Sequence, residues 1–299
     1  MGREAVLSPV TWDEGEWPVF TPVRRVMSGW ELPTTDLDVP GYGPFNGDPD
    51  VVDFAAGTAI PTHFYFNRYP NVDDFAVSPE GHPNTLRITP SRAILTGVLT
   101  EPIDEQLSGE KGVSFIGRVQ EHTFFAFSVD LEFEPSQDGQ EAGVTAFPTQ
   151  LNHIDLSIVR PASPAYGQDN GLEFCLRVET VGTIVNNTLP SYTQATAVPS
   201  GWPSGPVRLQ TETTNATHFE FSAAPASNSN ARIVLGQVSA FAVSGGSGPF
   251  VGNVLGVYAT CNGAGSGESC PEGGEAYFSR WRYSGAAQQV GYDHFVPVV

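Results

Sequence analysis

The feature that most constrains the fold of this chain is an alternation of large apolar side chains with small or polar ones in Thr123–Glu134. The apolar members occupy every second position and are Phe125, Phe127, Val129, Leu131 and Phe133. Because successive side chains of a β-strand point to opposite faces, the alternation predicts a strand with one core face and one polar face. His153–Val159 and Glu173–Glu179 repeat the pattern, and no segment of similar length has the 3.6-residue period of an amphipathic helix. We therefore expect an all-β fold.

Turn-forming residues divide the whole sequence into short segments. The chain contains 32 Gly and 25 Pro, which favours many short strands over long helices. Such strands, each with one buried face, predict two stacked antiparallel sheets, that is, a two-sheet β-sandwich.

The N-terminal region departs from this regular pattern. Residues 1–30 are predicted to form a hairpin, with Ala5–Val10 and Val19–Val23 as its two extended arms. Residues 31–62 are rich in Pro, Gly and Asp and are predicted to be a linker or long loop. The alternation then resumes, so the sandwich is expected to span residues 63–299.

The net charge of the chain limits the kinds of partner that it can bind. It carries 33 acidic and 14 basic side chains, for a formal net charge of −19. Because nucleic-acid binding depends on Lys and Arg that neutralise phosphates, a nucleic-acid partner is not expected, nor is an anionic membrane. No apolar run reaches membrane-spanning length. A neutral polysaccharide remains compatible, because sugars are recognised by hydrogen bonds and stacking.

Several short motifs, spread over the chain in a fixed order, resemble glycoside hydrolase family 43. The N-terminal ones are GREAVLSPVTW at residues 2–12 and GEWPV at residues 15–19, which resemble the segment that closes the family's catalytic domain. The later ones resemble its appended concanavalin A-like sandwich and are FIGRVQ at 115–120, FEP at 133–135, EAGV at 141–144, FVG at 250–252, GVYAT at 256–260, AYF at 276–278 and WRY at 281–283.

This resemblance implies a fold and a function. Family 43 enzymes are five-bladed β-propellers, chiefly β-xylosidases and α-arabinofuranosidases, in which three propeller acids perform the hydrolysis. Residues 1–30 would then be a remnant of the propeller, and residues 63–299 a concanavalin A-like jelly roll. The propeller segments that carry the acids are not found in this sequence. The resemblance therefore implies a missing propeller domain, with any signal peptide expected upstream of Met1.

Four residues are candidates for contact with a sugar or a neighbouring domain. By the resemblance, Phe250 would lie on a loop that closes the sugar pocket; the alternative is an ordinary core or interface aromatic. Arg118 and Gln120, two positions apart on one strand face, could bind a glycan or the neighbouring domain, or could satisfy buried polar groups. Trp202 could stack on sugar or pack at the rim of the core.

A cysteine pair and two sequons suggest an extracellular location. Cys261 and Cys270 flank a Gly/Ser-rich loop and are predicted to form a disulfide; the alternative is two free thiols in a reducing compartment. Asn186 and Asn215 begin the sequons Asn-Asn-Thr and Asn-Ala-Thr and would accept glycans in a secreted protein. The first four residues lack the apolar segment of a signal peptide, yet an extracellular location is expected.

Metal and further catalytic sites are weakly supported. Asp48, Asp50 and Asp53 offer oxygen ligands but lack the Gly and terminal Glu of a calcium-binding loop, so no cofactor is predicted and structural Ca²⁺ is a minor alternative. The six histidines lack zinc-site spacing. Cys175 has no partners of a nucleophile and is predicted to be an inert thiol. Asp13, Glu14 and Glu16 are expected to be solvated turn residues.

Three functional hypotheses remain. The first is an accessory C-terminal sandwich of a family 43-like glycosidase that acts on plant cell-wall polysaccharide or oligosaccharide of xylan or arabinan type. Its role would be to support the propeller and form one wall of the sugar pocket, with no hydrolysis by this chain alone. The second is a free-standing, lectin-like carbohydrate-binding sandwich. The third and least favoured is a complete enzyme whose carboxylate pair the fold assembles.

Overall fold

A computed structural model describes residues 8–23, 44, 48–97, 107–109, 112–163, 171–180, 189–243, 252–267, 269–291 and 293–298. These residues form eighteen strands and four short 3-10 helices, and they contain no α-helix. The strands are β1 Val10–Thr11, β2 Val19–Phe20, β3 Asp50–Val52, β4 Tyr65–Phe66, β5 Phe75–Val77, β6 Leu86–Ile88, β7 Phe115–Val119, β8 Phe124–Phe133, β9 Glu141–Thr149, β10 Asn152–Val159, β11 Glu173–Glu179, β12 Tyr192–Ala197, β13 Val207–Asn215, β14 His218–Pro225, β15 Ile233–Ser239, β16 Val254–Thr260, β17 Ala276–Gly291 and β18 His294–Pro297. The 3-10 helices are Val72–Asp74, Trp202–Ser204, Ser229–Ala231 and Ala240–Val243.

The strands assemble into two large sheets. One has seven strands in the order β12-β11-β10-β9-β16-β7-β4, and the other has nine in the order β15-β14-β13-β8-β17-β6-β5. β3 and β18 also pair with the long strand β17. The strand pairings in both sheets are antiparallel. The predicted all-β, antiparallel two-sheet sandwich is confirmed.

The apolar core lies between the sheets and follows from the alternation. The predicted core residues of β8 are buried, and they join one continuous apolar cluster with residues of the seven-stranded sheet such as Val144, Leu156 and Val257. Trp281 of β17 is fully buried and packs against Phe64 and Phe127, with ring centroids 4.5 and 4.7 Å apart. Each such side chain contributes roughly 1.5–3 kcal/mol by leaving water.

The sandwich begins earlier than the predicted boundary at residue 63. Asp50–Val52 pairs with Trp281–Tyr283 of β17, and Phe54 is buried in the main core. Part of the predicted 31–62 linker is therefore sandwich. Three paired residues beside Pro and Asp are too few to show an alternating pattern, which is why composition indicated a loop.

The N-terminal hairpin is a separate two-stranded sheet. β1 and β2 pair through Val10↔Phe20 and Thr11↔Val19, and the indole Nε1 of Trp12 donates to the Glu16 carbonyl at 3.1 Å. Among the described strands, the hairpin pairs with none of the sandwich. None of the described segments forms a helix with the length and apolar character needed to cross a bilayer.

Candidate functional site

The outer face of the seven-stranded sheet carries a largely buried group of charges, although the alternation had predicted a solvated polar face there. Side chains on this face alternate with the core residues of β9, β10, β11 and β16, so they point away from the sandwich interior. A second, smaller apolar cluster covers part of this face and consists of Ala93, Leu95, Val113, Phe115, Phe147 and Tyr258. Ala93, Leu95 and Val113, which precede β7 in the chain, thus shield part of the outer face of the seven-stranded sheet from water.

Glu141 is the centre of this charged group, which we call the Glu141 cluster: Glu141, Asp155, Arg177, Tyr258 and Asn262. The Arg177 guanidinium donates to both Glu141 carboxylate oxygens at 3.0 Å. The Tyr258 hydroxyl donates to Glu141 Oε1 at 2.6 Å, and the Asn262 amide donates to Oε2 at 2.8 Å. A second ion pair joins Arg177 Nη1 to Asp155 Oδ2 at 3.4 Å.

These contacts set the ionisation states in the cluster. Burial acts to raise the pKa of Glu141, but the charge of Arg177 and hydrogen bonds from Arg177, Tyr258 and Asn262 outweigh it and lower that pKa to about 2. The negative charge of Glu141 raises the pKa of Arg177. Burial, followed by the charge of Glu141, raises the pKa of Tyr258 well above its usual value. The cluster is therefore an ionised carboxylate held by a permanent cation and a neutral phenol.

A hydroxyl, an imidazole and a carboxylate lie in line beside this cluster. His153 Nδ1 contacts Asp155 Oδ2 at 2.9 Å, and His153 Nε2 contacts Thr96 Oγ1 at 2.9 Å. The order matches that of a nucleophile, a base and its orienting acid. However, His153 and Asp155 are completely buried, so a substrate has no access to them. The arrangement instead ties the segment that carries Thr96 to the sheet.

Arg118 and Gln120 are engaged inside the fold. The Arg118 side chain forms ion pairs with Asp50 at 3.1 Å and Glu121 at 2.7 Å, and its guanidinium lies 4.0 Å from the ring centroid of Tyr283. Arg118 is only 2% exposed, so it has no surface to offer to a glycan. The structure therefore favours the alternative in which Arg118 satisfies buried groups.

Gln120 makes internal contacts at the same edge of the sandwich. Its amide donates to the His122 carbonyl at 2.8 Å, and its side-chain oxygen accepts from Asn253 at 2.8 Å. Both polar ends of Gln120 thus have partners within the fold, which again favours the structural alternative over glycan contact.

Trp202 starts a 3-10 helix and packs against the main core. Its ring lies 5.9 Å from that of Phe174 in an edge-on arrangement, and the side chain is only partly exposed. This geometry favours the packing alternative over a sugar-stacking platform. Phe250, the candidate for the sugar pocket, lies outside the described residues.

The three cysteines lie in two different environments. Cys261 and Cys270 are joined by a disulfide, and the loop between them is also held by Arg92, whose guanidinium donates to the carbonyls of Gly263 and Ala264. Cys175 is a buried free thiol, and burial raises its pKa to about 12.

Acidic residues considered for metal binding or catalysis are dispersed or paired. Asp50 contacts Arg118 and His63, whereas Asp53 pairs with Arg282. Within the part of the chain that the structure describes, no group of three or more His, Cys, Asp or Glu residues could hold a metal ion. The three acids of the hairpin turn, Asp13, Glu14 and Glu16, are exposed.

The two predicted glycan acceptors differ in what the structure shows. Asn186 lies outside the described residues. Asn215 is exposed at the end of β13.

Several large apolar side chains of the N-terminal hairpin are exposed to water. We define the hairpin surface as the side chains of Trp12, Trp17, Val19 and Phe20. Trp12 is 72% exposed and Trp17 is 88% exposed, and both residues of β2 are also largely exposed. Several large apolar side chains exposed on one short hairpin are typical of a segment that binds another protein. The sequence motifs singled out this segment, whereas the Glu141 cluster was missed because its five residues come from four strands and a loop.

The comparison with family models identifies the sandwich. Residues 51–284 match the model of the β-xylosidase C-terminal concanavalin A-like domain. The chain belongs to this family. The match starts at β3, in agreement with the pairing of Asp50–Val52 to β17, and it leaves the hairpin before the matched domain.

The chain is also similar to two longer proteins. It is 28% identical over 273 residues to a non-reducing end α-L-arabinofuranosidase of Bacteroides ovatus, covering 88% of this chain and 42% of the relative. It is 26% identical over 164 residues to a xylosidase/arabinosidase of Butyrivibrio fibrisolvens, covering 54% of this chain and 28% of the relative. The chain thus spans less than half the length of these relatives.

Solved structures give the same fold. A xylan β-1,4-xylosidase from Bacillus halodurans matches with a TM-score of 0.65 at 18% identity, covering 95% of this chain and 47% of that one. A Bacteroides ovatus family 43 protein from a xyloglucan locus matches with a TM-score of 0.63 at 24% identity and the same coverages. The resemblance to family 43 xylosidases and arabinofuranosidases is confirmed.

Proposed function

We propose that this chain serves as the C-terminal sandwich of a family 43-type glycoside hydrolase that acts on xylan- or arabinan-type polysaccharide. In this proposal the sandwich supports a catalytic propeller, and the hairpin surface packs against that propeller. The exposed hairpin surface is the observation that carries the proposal. Its position before the matched domain, and the additional length of the relatives, support the same interpretation.

The energetics of the hairpin surface favour a protein partner. Full burial of a large apolar side chain is worth roughly 1.5–3 kcal/mol, so covering Trp12, Trp17 and Phe20 together would contribute several kcal/mol. The turn of the hairpin is acidic and exposed. Exposed apolar side chains next to a polar turn match the residue types found at the centre and edge of a protein interface.

We further propose that the sandwich does not hydrolyse glycosides by itself. Glycoside hydrolysis requires an acid and a base or nucleophile that flank an accessible bond, roughly 5–10 Å apart. Among the buried acids of the described residues, Glu141 and Asp155 lie on either side of one cation, Arg177. However, both carboxylates are buried and therefore inaccessible to a substrate. A low pKa also makes Glu141 a poor general acid.

A mixing experiment tests the proposed role of the hairpin. The chain would be titrated into a separately produced family 43 catalytic propeller from which its own sandwich and closing segment have been removed, and binding would be followed by calorimetry. We expect binding by the wild-type chain and at least tenfold weaker binding by the double variant Trp17→Ser/Phe20→Ser. Arg160→Ser serves as a control, because the described contact of that partly exposed side chain is a 3.6 Å ion pair with Asp138. Equal affinity of the wild-type chain and the double variant would refute the role of the hairpin.

The second candidate function is a carbohydrate-binding sandwich, and two exposed tyrosines favour it. Tyr65 of β4 and Tyr69 of the following turn are 53% and 87% exposed, and aromatic faces are suited to stacking on sugar rings. Affinity electrophoresis in gels with arabinoxylan would detect retardation of the wild-type chain and its loss in Tyr69→Ala. Unchanged migration of the wild-type chain would remove this candidate.

An extracellular location is also proposed. Disulfides persist mainly in oxidising compartments, and the Cys261–Cys270 bond therefore supports secretion. The net charge of −19 is compatible with a neutral polysaccharide in the surroundings of the protein.

A further inference from the structure

We propose that Asn215 is an N-glycosylation site, independently of the catalytic partner discussed above. Asn215 is the last residue of β13, and Ala216 and Thr217 form the two-residue connection to β14. All three residues of the sequon are exposed. The acceptor therefore lies at the tip of a hairpin, where a bulky, hydrated glycan can extend into water without displacing core residues.

The acceptor side chain is held in one orientation. Its oxygen Oδ1 accepts hydrogen bonds from the backbone N–H of Thr217 at 2.8 Å and from the Thr217 hydroxyl at 2.7 Å. Among the hydrogen bonds of the described residues, none uses the Asn215 nitrogen Nδ2. The side-chain oxygen thus stabilises the turn, while the nitrogen that would carry the sugar remains available.

The backbone at this site also tolerates the modification. Asn215 pairs with His218 at the end of the β13–β14 ladder, after a register shift beyond Thr213. Because the ladder ends there, a substituent on Nδ2 breaks no strand pairing. Asn228 offers a contrast: it is exposed in the turn after β14 and caps Asn230, but it is followed by Ser229 and Asn230 and so lacks a sequon.

The chemistry requires a lipid-linked pyrophosphate oligosaccharide as donor. The Asn215 nitrogen forms a bond to C1 of the first sugar, the bond from C1 to the pyrophosphate oxygen breaks, the amide loses one proton, and the lipid pyrophosphate leaves. This reaction occurs in an oxidising secretory compartment, and the Cys261–Cys270 disulfide indicates exposure to such a compartment.

Peptide mass spectrometry tests the proposal on the full chain, secreted from a eukaryotic host behind a host signal peptide. An Asn186→Gln background removes the other sequon. Glycan release with a peptide N-glycosidase in ¹⁸O-water should convert Asn215 to labelled Asp, and Asn215→Gln and Thr217→Ala should each abolish the label. Asn228→Gln should leave it unchanged. Thermal melting of each variant separates loss of the acceptor from loss of the fold.

Recovery of a folded, secreted chain with an intact Cys261–Cys270 disulfide and an unmodified Asn215 would overturn the assignment. Retention of the label in Thr217→Ala would also overturn it, because the hydroxyl would then have no part in the site. Neither result would bear on whether the hairpin surface binds a catalytic domain.

Discussion

Replacement of Glu141 by Gln should destabilise the sandwich by about 3 kcal/mol at neutral pH. Gln keeps the shape of the side chain, but its single oxygen replaces only one of the two carboxylate oxygens that accept from Tyr258 and Asn262. It also removes the charge that faces Arg177. Arg177 would be left with Asp155 at 3.4 Å as its described ionic partner. Breaking a buried ion pair by removing one member typically costs about 3–5 kcal/mol.

The pKa of Glu141 gives an independent estimate of the same size. A carboxyl with a pKa of 4.5 in the unfolded chain and about 2 in the folded protein contributes roughly 3 kcal/mol at neutral pH. Because the folded-state pKa is the lower one, this stability is fully present above pH 4.5. It is lost as the pH falls towards 2, where Glu141 becomes protonated in both states.

Urea denaturation followed by tryptophan fluorescence at pH 7 and at pH 3 would measure both effects. The wild type should exceed Glu141→Gln by about 3 kcal/mol at pH 7, and the difference should shrink at pH 3. Glu134→Gln is the matched control, since Glu134 is exposed at the end of β8 and its loss should change stability by less than about 0.5 kcal/mol. Equal stability of wild type and Glu141→Gln at pH 7 would refute the account of this cluster.

Three further predictions concern the same face of the sheet. Asn262→Asp places a carboxylate where an amide donates to Glu141 at 2.8 Å. In the same denaturation assay it should lower the free energy of unfolding by about 2 kcal/mol at pH 7 and by less at pH 4. An unchanged denaturation midpoint would contradict this. Gly143→Ala should lower the melting temperature strongly, because an added Cβ would lie 2.2 Å from the Leu156 carbonyl oxygen; a wild-type melting curve would show that β9 and β10 are less closely packed. Cys175, whose thiol pKa burial raises to about 12, should resist iodoacetamide in the native protein at pH 8 and react after unfolding in guanidinium; rapid native labelling would contradict its burial.

The sequence predicted the parts of the fold that depend on local periodicity. The alternation in β8, β10 and β11 correctly separated core residues such as Phe127, Leu156 and Phe174 from their neighbours on the opposite face. A hairpin was also expected near the N-terminus because turn residues separate two extended arms; the structure pairs Val10–Thr11 with Val19–Phe20, and the predicted arm Ala5–Val10 lies partly outside the described residues. These features require no knowledge of distant contacts.

Contacts between distant segments could not be predicted in the same way. Arg177 was expected on a solvated face, but the apolar cluster that includes Leu95 and Phe115 helps to cover that side of the sheet. Arg118 pairs with Asp50, which lies 68 positions earlier in the chain. Alternation reports which face a side chain occupies, and it does not report what covers that face. The partners of both arginines therefore appear only in three dimensions.

Hydrolysis by the purified 299-residue chain tests the central claim most directly. The assay would use 4-nitrophenyl β-D-xylopyranoside and 4-nitrophenyl α-L-arabinofuranoside, with an active family 43 enzyme as a positive control. We predict release of 4-nitrophenol at the rate of the buffer blank with either substrate. Turnover that rises in proportion to the concentration of folded chain would show that the sandwich contains its own catalytic site and would contradict the account.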